Sequence, residues 1–154
     1  MTETTNPLRN TPFMQALFDL VIPPSRDGAM PGAGNLDLTS TVAASVEADV
    51  LLGPVVAAGL RAVCDAALAI HPAGLPGLSP AVRLDVVRAV VNSHTTLMNA
   101  MARHLYPAYY QHPAVLDALG EPARPPFPEG FQVEPTDAKL LAELHARRKA
   151  AGQP

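Results

Sequence analysis

The five histidines are the first side chains in this chain that could do chemistry. His71 and His112 each precede a proline and belong to turns, while His104 and His145 lie near predicted helix ends, where the dipole favours a partly charged imidazole. His94 stands apart, because it interrupts the apolar series Val87, Val90, Val91, His94, Leu97, Met98, Met101 and Leu105. A histidine and a methionine can together ligate copper or haem iron. Here, however, both would sit on one face of one helix, whereas haem ligands approach from opposite sides, and CxxCH is lacking. His94 is therefore expected to be a core histidine held by a hydrogen bond. There is no HExxH, CxxC or histidine pair with a third acidic ligand, so no metal site is expected.

Nucleophilic chemistry has equally little support. GxSxG is absent, and the single cysteine, Cys64, falls on an apolar helix face as an inert thiol. Glu47 and Asp49 are two positions apart on a predicted helix, so they diverge and cannot form an acid/base pair on one face. The stretch GAMPGAG, residues 28–34, lacks both the Gly-Lys-Ser/Thr ending and the preceding strand of a phosphate cradle. Tyr109-Tyr110 could donate protons or form an aromatic platform; the expectation is rings that straddle core and surface with bonded hydroxyls.

The elements that would position these groups are all helices, giving an all-α bundle of five to six helices around a long central one. Thr11-Pro12 starts a helix over 12–22, with Phe13, Leu17, Leu20 and Val21 inward and Pro23-Pro24 as its stop. A Pro/Gly-rich loop, 23–37, follows; a loop of that length in a compact domain is functional or mobile. Val42, Val46 and Val50 mark a second helix over 39–52. Gly53-Pro54 opens a third, 54–70, with Val56, Leu60, Val63, Ala67 and Ile70 inward and an Arg61/Asp65 pair outside. Ser79-Pro80 starts the longest, 80–105, which carries the stripe through His94 and must bend or end at Pro107. His112-Pro113 begins a short helix with Val115, Leu116 and Leu119 inward, closed by Gly120. Residues 121–135 hold five prolines and read as an extended arm; Thr136 then caps a last helix, 137–150, with Leu140, Leu141 and Leu144 inward.

The 154 residues are expected to make one domain, 48% hydrophobic, 16% charged and of net charge −3. Nucleic-acid binding is not expected, because the one basic run, Arg147-Arg148-Lys149, complements a helix C-terminus. No signal peptide or twin arginine is visible, and no uninterrupted apolar run reaches the roughly 18 residues of a membrane span. A cytoplasmic location is the corresponding expectation.

The motif Tyr109-Tyr110-x-x-Pro113-x-Val115-x-x-Ala118-Leu119-Gly120, together with Phe13, Leu17, Val21, Ile22, Pro23 and Pro24 at the end of the first helix, resembles the gluconate 2-dehydrogenase subunit 3 family. The resemblance implies a small subunit with no catalytic, cofactor or metal residues of its own. It implies a large partner of the glucose-methanol-choline class that carries FAD and is stabilised by the small subunit. Such small subunits often carry a twin-arginine export signal, and the tail after Gly120 here differs from the family's usual Tyr-Pro-Gly continuation. Partner-binding residues under this reading are Pro23, Pro24 and Met30 in the first loop, Tyr109 and Tyr110 at the helix end, and Arg124, Phe127, Phe131 and Val133 in the arm. Two alternatives remain: a stand-alone helical enzyme using His94 with Tyr109 or Tyr110 as acid/base groups, and a homo-oligomeric helical binding module.

Overall fold

The computed structural model describes residues 6–121 and 137–150. The chain divides into two compact units, Met1–Ala123 and Arg124–Pro154. The first unit holds α1 (Thr11–Val21), α2 (Thr39–Ala48), α3 (Gly53–Ile70), α4 (Pro80–Val91), α5 (Leu97–Tyr110) and α6 (Pro113–Ala118), with 3-10 turns at Pro7–Arg9, Ala33–Asn35 and Leu75–Gly77. Within this unit, α3 packs on α4 and α5, α2 crosses α5, and the turn at 33–35 lies along α1. The fold is all-helical, as expected.

Burial of apolar faces drives this arrangement. Phe13, Met14, Leu17 and Phe18 of α1 meet Val42 and Val46 of α2, Val56, Leu60 and Val63 of α3, and Leu97, Met101 and Leu105 of α5 in one core. α1 is capped by Asn10, whose side chain accepts from the Phe13 N–H, and not by Thr11, which is already the first helical residue. α3 is long and apolar enough to cross a membrane by length and composition alone, even with Arg61 and Asp65 interrupting its apolar run. Here it serves as a core helix, with Val56, Leu60, Val63 and Ala67 buried and Arg61 and Asp65 exposed. Those two charges do not pair with each other.

The predicted 80–105 helix is two helices. Residues 92–96, NSHTT, interrupt it because short polar side chains compete for backbone groups. The Ser93 hydroxyl donates to the Val90 carbonyl at 3.0 Å, and the Ser93 and His94 amides both turn back to that same oxygen. Pro107, by contrast, does not end α5, which runs one turn further to Tyr110. The donor that proline lacks would have met the carbonyl of exposed Arg103, which water can satisfy.

Other positions expected inside are outside. Val50 is 86% exposed, because Asp49 ends α2 before the valine series is complete. Ile70, the last residue of α3, and Leu119, just past α6, are both about half exposed, at 58% and 51%. In the second unit, α7 (Ala138–Ala150) carries Leu140, Leu141 and Leu144, expected inward, all exposed. The predicted cap Thr136 and the arm residues Arg124, Phe127, Phe131 and Val133 lie outside the described residues.

Candidate functional site

The end of α2 organises the most chemically loaded region. Ser45 and Asp49 are four residues apart and so lie on one face, which looks at α5. From α5, His104 enters between them. Its Nδ1 is 2.9 Å from the Ser45 hydroxyl, and its Nε2 is 3.6 Å from Asp49 Oδ2. The ring is 6% exposed, and Nε2 has no hydrogen-bond partner within reach. At 3.6 Å the carboxylate acts on Nε2 as a charge rather than as a hydrogen-bond acceptor. His104 is thus the core histidine of the molecule, and His94 is not: His94 is half-buried in the 92–96 break, its Nδ1 3.1 Å from the Ser93 hydroxyl.

Asp49 also builds the turn that follows. Its Oδ1 accepts from the amides of Leu52 and Leu51, at 2.9 and 3.0 Å. The Leu52 amide holds the carboxyl below the usual carboxylate range; burial opposes this, and the Leu51 amide, His104 and Arg103 reinforce it. Because the folded-state value is depressed, Asp49 contributes stability above its unfolded value and loses it as pH falls through the folded one. Asp49→Asn keeps an acceptor for the two amides but removes the charge. The variant is therefore expected to unfold at lower urea than the parent at pH 7, with the gap closing only as the pH falls below the ordinary carboxylate range. A gap that persists unchanged in acid would refute the charge argument.

The turn thrusts Val50 and Leu51 into solvent, at 86% and 83% exposure. Beside them opens a cleft of about 600 Å³. Leu8, Val46, Pro54 and Ala57 make its walls apolar, Glu47 and Asp49 stand on the α2 side, and Arg61 stands on the α3 side. Arg9 forks onto Glu47 and ties the turn at 7–9 to this rim. Among the described residues, no group of three His, Cys, Asp or Glu side chains comes together as a metal site would require. Burial, reinforced by Asp65, pushes the Cys64 thiol up, away from the reactive thiolate.

The residues singled out from the sequence scatter around this region. Tyr109 is 1% exposed and its hydroxyl donates to the Pro31 carbonyl at 2.7 Å. In this structure it is an internal anchor, its ring committed to the core. Tyr110 is exposed and meets Tyr109 and Tyr106 edge to face, at 5.1 and 6.4 Å between ring centres. Pro23 and Pro24 are exposed; Met30 is half-buried against the core. His94 is hydrogen-bonded to Ser93 and to neither tyrosine. The Ser45–His104 contact was missed. Its one legible signal is the spacing Leu97, Met101, His104, which puts the ring on the buried face of α5. No protein-family model, curated protein or solved structure matches this chain, which leaves its own residues and geometry as the ground for any reading of its role.

Proposed function

We propose that this chain is an accessory subunit that docks on, and stabilises, a larger FAD-containing oxidoreductase of the glucose-methanol-choline class. The observation that carries the docking half is the Val50-Leu51 pair. Two adjacent branched apolar side chains are held out by a turn that Asp49 stiffens, next to a cleft with apolar walls. Covering each is worth roughly 1.5–3 kcal/mol relative to leaving it in water. A small apolar centre with a charged rim of Arg9, Glu47 and Arg61 is the anatomy of a protein interface. The flavin half rests on the resemblance through Tyr109-Tyr110, Pro113 and Leu119-Gly120 and through the α1 end at Val21-Ile22-Pro23-Pro24.

Co-expression of the tagged chain with the reading frames next to its own tests both halves. The expected result is a large co-purifying protein with a flavin absorption spectrum. A colourless chain of monomer mass would overturn the proposal, and one of homodimer mass would turn the same surface toward self-association. Leu51→Asp is expected to weaken the complex about tenfold or more while leaving the melting temperature of the free chain within a degree or two, because central apolar anchors dominate interfaces and an exposed turn residue contributes little to folding. Titration by calorimetry reads the first, and circular dichroism the second. Unchanged affinity would exclude this turn from the interface.

A further inference from the structure

We propose that Ser45 is an activated nucleophile, with His104 as its general base and Asp49 as the positioning residue, and that it accepts acyl groups from activated esters or thioesters. The proposal goes beyond the docking role and does not depend on it.

Three observations carry it. The Ser45 hydroxyl sits 2.9 Å from a ring nitrogen, and Ser45 itself is exposed, so an acyl donor can reach the oxygen. The ring is buried, and its other nitrogen has a carboxylate oxygen at 3.6 Å and no hydrogen-bond partner. That carboxylate is fixed by two backbone amides and cannot swing away at no cost. A negative charge beside Nε2 favours the tautomer that carries its proton there. Nδ1 is then left with its lone pair and Ser45 becomes the donor. The three groups therefore stand in nucleophile, base and orienter order, with the two ring nitrogens each given one role.

The geometry also selects the substrate class. The amides around Ser45 belong to the α2 ladder, so no pair of free backbone N–H groups stabilises an oxyanion. Base catalysis alone suits donors whose leaving group is already good. In the step, the Ser45 Oγ–acyl carbon bond forms and the acyl carbon–leaving-group bond breaks. The hydroxyl proton passes to His104 Nδ1 and on to solvent or to the departing thiolate or phenolate. The product is O-acyl-Ser45, which water hydrolyses to return the serine.

Two other serines act as internal comparators. Ser40 lies exposed on the same helix with no histidine bonded to it, and Ser93 touches His94 but gives its proton to the Val90 carbonyl and has no carboxylate behind the ring. The full-length chain is treated with p-nitrophenyl acetate and the modified serines are quantified by peptide mass spectrometry. Acetylation at Ser45 is expected to run about 100-fold faster than at Ser40, the lower end of what a positioned base provides. His104→Gln, which keeps a hydrogen-bonding side chain but no base, should bring the Ser45 rate down to that of Ser40. Asp49→Asn should slow Ser45 several-fold with Ser40 unchanged; a purely structural Asp49 would leave the ratio of the two rates where it is. Equal rates at Ser45 and Ser40, in a chain shown to be folded by circular dichroism, would reduce the Ser45–His104 bond to a clamp between α2 and α5 and overturn the proposal.

Discussion

Gly34→Ala is expected to lower the melting temperature of the first unit by roughly 10 °C, the equivalent of about 3 kcal/mol. A methyl group at this position would lie 2.6 Å from Asp19 Oδ1 and closer still to the Gln15 carbonyl oxygen. The carbonyl is part of the α1 ladder and cannot yield. The Asp19 carboxylate could rotate, but it accepts from the Gly34 amide at 2.9 Å, and moving it would lose that bond. Gly32 is hemmed in the same way, by Asp19 and by the Pro24 ring. The whole approach of the 33–35 turn to α1 therefore depends on missing side chains, and with it the burial of Ala33 and Leu36. Gly28→Ala is the control. That residue has φ +73° with nothing near it, so only left-handed strain of about 1–2 kcal/mol is added. Thermal melts by far-UV circular dichroism should rank parent, Gly28→Ala, Gly34→Ala in falling order. A Gly34 variant as stable as the Gly28 variant would mean the turn can lift from α1 without loss.

The same glycines show where sequence reasoning stops. GAMPGAG could be excluded as a phosphate cradle from its ending alone, but that its glycines serve close packing on α1 needs Asp19 and Gln15 brought alongside. Helix starts were legible at Thr11-Pro12, Ser79-Pro80 and His112-Pro113, because proline restricts its own torsion and its predecessor's. Gly120, read as the residue past a helix end, has φ +75°. Helix ends marked by neither proline nor glycine were not legible. The valine period runs through Val50 and the apolar stripe through His94, but in both places a short polar side chain takes backbone groups that the helix needs, Asp49 in one and Ser93 in the other. Periodicity does not see that competition. The Ser45–His104 contact spans 59 positions in sequence, and no local pattern encodes it. Only the burial of His104 could have been inferred, and the neighbouring methionines drew attention to the wrong histidine.

Tyr109→Ala is expected to destabilise the first unit by about 4 kcal/mol, since it empties the place of a large, fully buried ring. Tyr109→Phe separates the hydroxyl from the ring. It keeps the packing and the edge contact with Tyr110, and loses only the bond to the Pro31 carbonyl, for about 1–2 kcal/mol. That bond joins α5 to the 22–38 loop across 78 positions, so its loss should fall on the loop first. Hydrogen exchange of the Ala33 and Gly34 amides, which donate to Ile22 and Asp19, is expected to quicken before that of the helices. The hydroxyl also has a pH signature. Burial, and then the neighbouring Tyr110, push the Tyr109 phenol above its ordinary value near 10. A raised folded-state value means the fold favours the protonated phenol. Its stabilisation is complete below the unfolded value and disappears as pH rises through the folded one, when the phenolate must lose the donor that holds Pro31. The phenylalanine variant has no such proton. Its denaturation curve should lie below the parent's at pH 7, and the two should converge above about pH 10. If the parent and the Phe variant share one curve at neutral pH, and the loop amides exchange equally, the hydroxyl contributes nothing and the loop is held by Asp19 and the buried Ala33 and Leu36 alone.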